Sequence, residues 1–448
     1  MNYQETMEYM DSLKAYGIVP GLDNIKELCR LLSNPQDSLA FVHIAGTNGK
    51  GSTLAFISTI LKSAGYKVGR YISPVIFGFC EKIQINGKPI SQKSMASYMT
   101  RVREACELMT SSGFHQPTPF EVETAAAFLY FKENHCDIVV LECGMGGRED
   151  ATNLITNTKV AVLTSISMDH MQYLGKTLEQ IAWQKAGIIK DSCYVITIEQ
   201  EQTALAVIKK EAEEKHCPIT ITGKASKIKY GLLKQRFTYC SDSGRILENL
   251  EISLPGRYQM ENVILALECI DKLELCGYPV SEKQLRKGLL ETKWPGRFQV
   301  ISQKPYFIVD GAHNEDAAKK LADSIQFYFT NKRIIYIMGV LRDKDYEKII
   351  VDTCAYADQI ITVTPPQNPR ALSALELAQS IQPYHQNVTA SGSLEEAVEM
   401  AYLLARKDDV IISFGSLSFL GRLTKIVKDR SKNIAERYVN SKKGKKNG

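Results

Sequence analysis

Apolar residues follow two different periods along most of the chain. Short apolar runs of strand length alternate with segments in which apolar residues recur every three or four positions, as Leu54, Ile57 and Leu61 do. Strands that alternate with helices are typical of parallel sheets flanked by helices, so the pattern predicts an α/β fold. The predicted strands form two series, which are 41–45, 67–72, 138–142, 160–165 and 194–198, and then 307–310, 334–338, 359–363 and 410–414.

A turn-like junction separates the two series. The sequence WPGR at 294–297 interrupts the alternation, and it predicts a first domain over residues 1–296 and a second over 297–429. Within the first domain, residues 218–255 contain short β segments (ITITG, IKYGLL, RFTYC, ISLPG). We expect these segments to form a small antiparallel sheet that closes the first domain.

The net charge is concentrated at the C-terminal end. The 448 residues include 55 Lys or Arg and 50 Asp or Glu, a formal charge of +5. Residues 430–448 hold seven Lys or Arg and one Glu, a net of +6, so the other 429 residues carry +5 minus +6, or −1. A neutral body argues against nucleic acid as a partner. We expect the segment 430–448 to be a disordered, solvated basic tail.

Cysteine usage and the N-terminus indicate the compartment. The 11 cysteines are scattered without a CxxC pair, which is typical of reduced thiols and not of a disulfide framework or a structural zinc site. The N-terminal residues are polar and acidic, without the apolar core of a signal peptide. The longest apolar stretch, 125–131, is far shorter than a membrane span. We therefore expect a cytoplasmic protein without membrane partners.

The strongest chemical signal is the segment FVHIAGTNGKGS at 41–52, in which an apolar strand leads into glycines and a helix. Such a backbone wraps a polyphosphate with its N–H groups, and Lys50 would neutralise the β- and γ-phosphates. The strict GxxxxGK[ST] pattern fails, because position 44 is Ile and Gly51 precedes the hydroxyl. The order of elements still favours nucleotide binding over a simple glycine-rich turn. The candidate ATP-binding residues are Thr47, Asn48, Gly49, Lys50, Gly51 and Ser52.

Two further polar groups follow predicted strands. Glu142 ends the strand 138–142, and Asp169-His170 follows the strand 160–165. The carboxyl ends of parallel strands meet at one edge of a sheet, where such folds bind ligands. A carboxylate, an imidazole and a hydroxyl beside a phosphate loop would suit Mg²⁺ that bridges the phosphates. A loop histidine taken alone is more often a hydrogen-bonded structural residue.

The form GTNGKGS resembles the phosphate loop of the Mur ligase superfamily, specifically that of folylpolyglutamate synthases and dihydrofolate synthases. The resemblance covers nearly the whole chain and implies a Mur-ligase-like α/β fold, with a P-loop ATPase domain and a smaller Rossmann-like C-terminal glutamate-ligase domain. The segments that carry it, in the order of the family, are GIVPGLDNIKELCRLL (17–32), LECGMGGREDATN (141–153), TSISMDHMQYLGKTLEQIAWQKAGIIK (164–190), GRYQMENVILAL (256–267), WPGRFQV (294–300), VDGAHNEDAA (309–318) and GVLRDKDY (339–346).

The resemblance also implies roles for single residues. Ser73, Glu142 and His170 would bind magnesium. Lys185, which composition alone describes as a solvated helix lysine, would be carbamylated, and this requires an amine of lowered pKa near cations. The implied catalytic residues are Lys50, His170, Lys185 and His313; the further nucleotide contacts are Asn262, Arg297 and Asp310; the folate contacts are Phe120, Asp150 and Ala151; and the glutamate contacts are His313 and Ser416.

Two of these assignments have structural alternatives, and so has the loop that carries Asp150 and Ala151. Phe120 could pack into the core, Arg148 and Glu149 could form a surface turn, and Ser416 could be a helix N-cap. The chain also departs from the pattern of the family, with Val75, Gly78 and Tyr258 at positions where His, Arg and His are frequent.

The activity that the resemblance implies is the ATP-dependent addition of L-glutamate to the terminal glutamyl carboxylate of tetrahydrofolate, through an acyl phosphate. ATP and Mg²⁺ would be cofactors, with a monovalent cation left open, and the partners would be small molecules bound by a monomer. A dihydrofolate synthase acting on dihydropteroate, or a bifunctional enzyme, is the first alternative. The second is a nucleotide-binding protein without catalysis, which the retained Lys50, Glu142, His170, Lys185 and Asp310 disfavour.

Overall fold

The computed structural model describes residues 1–17, 19 and 21–444, with side chains up to residue 432. The chain divides into two compact units. The N-terminal unit comprises Met1–Lys229, Gln235–Ser253 and Gln259–Lys293, and the C-terminal unit comprises Tyr230–Lys234, Leu254–Tyr258 and the chain from Trp294 onward. Two short segments that precede residue 294 in the sequence therefore belong to the C-terminal unit.

The N-terminal unit is built on an eight-stranded sheet of order β4-β3-β2-β5-β1-β6-β7-β8. The strands from β2 to β8 in this order are parallel, and β3 and β4 add an antiparallel edge. The bounds are β1 Phe41–Ala45, β2 Val68–Tyr71, β3 Ile83–Ile85, β4 Lys88–Pro89, β5 Ile138–Glu142, β6 Thr158–Leu163, β7 Tyr194–Thr197 and β8 Ile219–Ile221.

Helices cover this sheet because its strands are buried on both faces and must be shielded from water. One core cluster joins β1 and β5 to helices on one side, through Phe41, Leu141 and Phe128 among others. The helices of this unit are α1 Tyr3–Leu13, α2 Asp23–Leu31, α3 Lys50–Ser63, α4 Gln92–Ser111, α5 Pro119–Glu133, α6 Met171–Leu174, α7 Leu178–Ala186, α8 Gln202–Glu214, α9 Gln259–Leu275 and α10 Glu282–Glu291.

A small antiparallel sheet completes the N-terminal unit, as predicted, but only the segment RFTYC coincides with one of its strands, while IKYGLL and ISLPG overlap strands only at residues 228–229 and at residue 252. The sheet contains β9 Lys224–Lys229, β10 Gln235–Cys240 and β11 Ile246–Ile252. The prediction was wrong for the ITITG segment, because β8 pairs in parallel with β7 instead. The intervening helix α8 returns the chain to the same end of the sheet, which is the geometry of a parallel crossover.

The C-terminal unit contains a six-stranded sheet of order β12-β13-β17-β14-β15-β16, parallel except for β12. Together with the first sheet, it confirms the predicted α/β class with mostly parallel sheets. The strands are β12 Gln299–Gln303, β13 Tyr306–Val309, β14 Ile334–Met338, β15 Gln359–Thr362, β16 Val388–Ala390 and β17 Val410–Phe414, and the helices are α11 Glu315–Tyr328, α12 Tyr346–Thr353, α13 Ala374–Ile381, α14 Leu394–Leu404 and α15 Leu417–Gly444.

The basic segment 430–448 was expected to be disordered, and this was wrong for its described part, since α15 continues to Gly444. No Gly or Pro interrupts residues 422–443, so nothing in the sequence stops the helix once its first turns are anchored. Leu420, Leu423 and Val427 provide that anchor because they are fully buried. Arg430 extends it, with its guanidinium 4.0 Å from the Tyr402 ring and its Nε bonded to Glu399.

No helix in the described part of the chain has the length and apolarity that crossing a bilayer requires.

Candidate functional site

The predicted phosphate loop joins β1 to α3, and its glycines have the conformations that such a loop needs. Gly46 has a φ of 150° and Gly49 a φ of 90°, values that favour glycine. Neither position has room for a side chain, because a Cβ would collide with Thr164 at Gly46 and with Asn262 at Gly49. The loop is also bonded to the chain after β6, where Thr47 Oγ1 donates to Ser167 O at 3.0 Å. The loop therefore has a rigid frame.

Two lysine side chains converge on this loop. Lys50 Nζ donates to Gly46 O at 3.1 Å, and Lys185 Nζ, from α7, donates to the same oxygen at 2.9 Å. Lys185 is only 3% exposed, so its description as a solvated helix lysine was wrong. Burial and the charge of Lys50 lower the pKa of Lys185 to about 7. The loop thus carries a concentrated positive charge that an anion would stabilise.

The predicted metal ligands come partly together. Glu142, at the end of β5, accepts the backbone N–H of Ser73 at 3.5 Å, so the two residues are neighbours. His170 precedes α6 with a φ of 50°, and its Nε2 lies 3.9 Å from the Asp169 carboxylate. A positive φ is uncommon outside glycine and often marks a functional position. The described residues contain no group of three His, Cys, Asp or Glu side chains that could hold a metal ion.

One residue near the loop was missed by the sequence analysis. Gln259 begins α9, is fully buried, and donates to Ser52 Oγ at 3.4 Å. The side-chain oxygen of Gln259, Oε1, accepts from Asn262 Nδ2 at 2.9 Å. Asn262, a predicted nucleotide contact, therefore lies beside Gly49 and is fixed by Gln259. The i, i+3 spacing of Gln259 and Asn262 on one helix was the available signal.

The predicted folate contacts Asp150 and Ala151 lie in a loop whose shape depends on the Asp150 carboxylate. This carboxylate accepts the N–H of Met145 at 2.8 Å and that of Thr152 at 3.0 Å, and it caps the short 3-10 helix Ala151–Leu154. Burial raises the pKa of Asp150, while these bonds oppose the rise. We call residues 143–153 the acceptor loop.

Phe120 stands beside the acceptor loop at the start of α5. Its ring lies 5.9 Å from that of Tyr71 and packs directly on Gly144, where a Cβ would collide with it. The Phe120 side chain contacts the N-terminal core but is only partly buried. The structure thus brings Phe120 together with the loop that carries Asp150 and Ala151.

Arg148 and Glu149 form the turn that was the alternative for this part of the acceptor loop, and the Arg148 side chain is partly buried there. Its guanidinium lies 4.1 Å from the Trp183 ring and bonds to Glu211 at 2.5 Å. Its backbone N–H donates to Gln184 O at 2.7 Å. These contacts attach the loop to α7 and α8, because a guanidinium both stacks and forms charged hydrogen bonds.

In the C-terminal unit, Asp310 follows β13 and is completely enclosed. Its carboxylate accepts the N–H of Phe298 at 2.7 Å, the N–H of Ala312 at 2.8 Å and the hydroxyl of Tyr258 at 3.0 Å. Burial raises the pKa of Asp310, and the charge of Arg297 opposes this rise. The Arg297 side chain packs against Gly311. The two predicted nucleotide contacts of this unit, Arg297 and Asp310, are therefore neighbours.

The two predicted glutamate contacts, His313 and Ser416, each lie just before the start of a helix, α11 and α15 respectively. His313 Nδ1 lies 2.7 Å from Gly311 O, so Nδ1 carries a proton and donates to that oxygen. Ser416 precedes α15, and its hydroxyl accepts the N–H of Ser418 at 3.2 Å. This bond is the N-cap that was the alternative for Ser416, and the role of Ser416 toward glutamate remains a prediction.

Two family models match the chain: the Mur ligase middle domain over residues 44–270 and the Mur ligase glutamate ligase domain over residues 296–417. A dihydrofolate synthase/folylpolyglutamate synthase of Bacillus subtilis is 35% identical over 435 residues, which is 95% of this chain and 99% of that protein.

Solved structures match at similar coverage. Folylpolyglutamate synthase of Mycobacterium tuberculosis complexed with ADP has a TM-score of 0.87 and 27% identity, and covers 95% of this chain and 99% of its own. E. coli FolC in complex with DHPP and ADP has a TM-score of 0.85 and 29% identity, and covers 96% and 99%.

A phosphate loop on one α/β unit and a second α/β unit with the glutamate-ligase match define the class as the Mur ligases, which are ATP-dependent ligases. Within this class, the chain belongs to the family of folylpolyglutamate synthases and dihydrofolate synthases. The match over nearly the whole chain confirms the predicted family, fold and class of enzyme.

The Tyr258–Asp310 bond predicts a pH-dependent stability difference. Tyr258→Phe removes one donor to a buried carboxylate and should lower the free energy of unfolding by about 1.5–3 kcal/mol at pH 8. Because the pKa of Asp310 is already raised, folding stability falls as pH increases through that raised pKa, and the variant steepens the fall. Denaturant unfolding at pH 8 and pH 5 should therefore show a smaller loss at pH 5.

The control for this variant is Tyr336→Phe in the same unit. Tyr336 is fully buried, whereas Tyr258 is partly buried, and the Tyr336 hydroxyl donates to the neutral Thr353 O at 3.3 Å. Its loss should cost about 1 kcal/mol at both pH values. If Tyr258→Phe costs only about 1 kcal/mol at both pH values, as loss of a bond to a neutral acceptor does, Asp310 is not an ionised acceptor.

Proposed function

We propose that the protein adds L-glutamate to the terminal glutamyl carboxylate of tetrahydrofolate, with ATP converted to ADP and phosphate. The observation that supports this most strongly is the phosphate loop on which Lys50 and Lys185 converge, next to Glu142 at the carboxyl end of the sheet. That charge arrangement suits the transfer of a phosphoryl group, in which negative charge develops on the transferred oxygens.

The reaction has two steps. A substrate carboxylate oxygen attacks the γ-phosphorus, the bond to the ADP oxygen breaks, and an acyl phosphate forms. The amine of glutamate then attacks the acyl carbon, the carbon–oxygen bond to phosphate breaks, and the amine loses a proton. Activation is needed because a free carboxylate is anionic and its oxide leaves poorly. Lys50 and the backbone N–H groups of residues 46–52 would bind the phosphates and orient the attack.

Ser73, Glu142 and His170 would hold Mg²⁺. Serine and carboxylate oxygens are suitable ligands, and Mg²⁺ keeps several waters and needs few protein donors, so the Ser73–Glu142 pair fits this ion even without a second carboxylate. When bound, Mg²⁺ would neutralise charge on the β- and γ-phosphates. A monovalent cation would be a further cofactor if the reaction depends on one.

Carbamylation of Lys185 is the second part of this proposal. A lysine reacts with CO₂ only as the neutral amine, and the lowered pKa of Lys185, about 7, makes that form available near neutral pH. The carbamate would replace one of two adjacent positive charges by a negative one, which removes the repulsion from Lys50. A carboxylate-like group would then stand beside the phosphate loop.

The remaining predicted residues keep their roles in this proposal. Asn262, Arg297 and Asp310 would contact the nucleotide, and Phe120, Asp150 and Ala151 would contact the folate. His313 and Ser416 would act on the glutamate side. All partners would be small molecules, and the enzyme would act as a cytoplasmic monomer.

A second candidate function is dihydrofolate synthase, alone or combined with the first. The Bacillus subtilis relative carries both activities in its name. The chemistry would be the same, with dihydropteroate as the carboxylate.

Phosphate release tests the proposed reaction. With ATP, Mg²⁺ and L-glutamate, release should depend on tetrahydrofolate, and dependence on dihydropteroate would establish the second activity. Lys50→Ala should lower kcat/KM by about 100- to 1000-fold, as loss of one preorganised charge donor does. Lys62→Ala, at an exposed position of the same helix, is the control and should keep full activity. Release without dependence on either pteridine would refute the proposal.

Carbamylation of Lys185 predicts a ¹³C NMR signal from a carbamate when the protein is equilibrated with ¹³C-bicarbonate. The signal should grow between pH 6 and pH 8 because more of the amine becomes neutral. It should vanish in Lys185→Met and persist in Lys190→Met, although burial also lowers the pKa of Lys190, to about 8. A wild-type protein without the signal at saturating bicarbonate would contradict carbamylation.

A further inference from the structure

His43 is a buried polar residue that the proposed mechanism does not use. It lies in the middle of β1, the strand that leads into the phosphate loop, and its side chain is fully buried. Burial, and next the charge of Lys190, lower its pKa to about 3, so the ring is neutral. Burying a neutral imidazole in a core costs free energy unless the ring forms hydrogen bonds. Packing alone does not require a histidine here, because an apolar side chain would fill the same position of the strand.

The hydrogen bonds of His43 lead into the acceptor loop. Its Nε2 lies 2.9 Å from Thr152 Oγ1 and 3.1 Å from Cys143 Sγ. Thr152 Oγ1 in turn lies 2.5 Å from Asp150 Oδ1. The His43 ring on β1 is thus connected to three side chains of the acceptor loop: to Cys143 and Thr152 directly, and to Asp150 through Thr152.

The donor and the acceptor in each bond of the chain His43–Thr152–Asp150 can be assigned from the Asp150 end. Asp150 already accepts two backbone N–H groups, so it acts as an acceptor and the Thr152 hydroxyl donates to it. The hydroxyl oxygen then accepts a hydrogen bond from His43 Nε2, so the neutral ring carries its proton on Nε2. Nδ1 has no partner among the described residues, and it is then a bare lone pair, whose burial costs less than that of an unpaired N–H.

The chain of bonds fixes both ends of the acceptor loop. Asp150 connects Met145, next to the Gly144 that supports the Phe120 ring, to Thr152 in the 3-10 helix Ala151–Leu154. The Thr152 hydroxyl holds Asp150 in this rotamer only while the hydroxyl itself is oriented toward Asp150 by a second hydrogen bond. His43 sets this orientation from β1, which is paired with a strand on each side.

We propose that His43 is a positioning residue that acts through Thr152 and Asp150 to hold the acceptor loop in the shape that binds the pteridine-bearing substrate. The inference rests on the proposed function, because the acceptor loop is the predicted folate contact. The effect should appear in the binding of the folate and not in that of ATP.

The test is a set of KM measurements for tetrahydrofolate and for ATP, with thermal unfolding of each variant. His43→Leu and Thr152→Val each break the chain of bonds, and each should raise the KM for tetrahydrofolate about tenfold, the effect of one hydrogen bond of about 1.4 kcal/mol. The KM for ATP should stay unchanged. His43→Gln, which keeps an N–H donor, and Thr152→Ser, which keeps the hydroxyl, should restore much of the affinity.

The double variant His43→Leu/Thr152→Val separates a shared pathway from two independent defects. A single chain of bonds predicts a KM for tetrahydrofolate no higher than in either single variant, whereas independent effects would multiply. Thr158→Val is the matched control, because Thr158 is buried and its hydroxyl has no partner among the described residues. It should leave both KM values unchanged.

Two outcomes would overturn the inference. One is an equal rise in the KM for ATP and for tetrahydrofolate that follows the loss of thermal stability, which indicates a purely structural role. The other is an unchanged KM for tetrahydrofolate in Thr152→Val, which also decides the question if His43→Leu does not fold. Absence of acceptor-dependent phosphate release in the wild type would instead refute the proposed function.

Discussion

The parallel pairing of β1 with β5 on one side and β6 on the other is the constraint on which the N-terminal site depends. In this register Ile44 lies opposite Glu142 and Ala45 opposite Leu163, so all three strands end together. The phosphate loop, the acceptor loop and the segment that contains His170 therefore start from one edge of the sheet. Each loop has backbone bonds to its neighbours, as Thr47 has to Ser165. Open α/β sheets bind their ligands at such an edge, where groups from several loops can act on one substrate.

Electrostatics at this edge is local. The body of the chain is nearly neutral, yet two ammonium groups share the carbonyl of Gly46. Burying a charged lysine costs free energy, and the pKa of Lys185 is lowered because burial and the charge of Lys50 both disfavour the ammonium form. A phosphate anion, or a carbamate on Lys185, would compensate for the two charges. The C-terminal unit uses the opposite arrangement, in which the buried Asp310 is satisfied by neutral donors and the nearby Arg297.

Much of this could be predicted from the sequence because it depends on neighbouring residues. Strand β5 has the predicted bounds, since a continuous apolar run ending in Glu142 is typical of a strand buried on both faces. Contacts between distant residues could not be predicted: Gln259 reaches Ser52 across 207 positions, and His43 reaches Thr152 across 109. The helix beyond Arg430 was missed because its polar composition also fits a disordered tail.

The transfer of a labelled oxygen tests the acyl phosphate, the central step of this account, most directly. Tetrahydrofolate carrying ¹⁸O in both oxygens of the terminal carboxylate is turned over with unlabelled ATP and L-glutamate, and the released phosphate is analysed by mass spectrometry. Attack of the carboxylate on the γ-phosphorus predicts one ¹⁸O atom in each phosphate and the other in the new amide. Unlabelled phosphate, formed at the same rate as the amide, would contradict the acyl-phosphate mechanism.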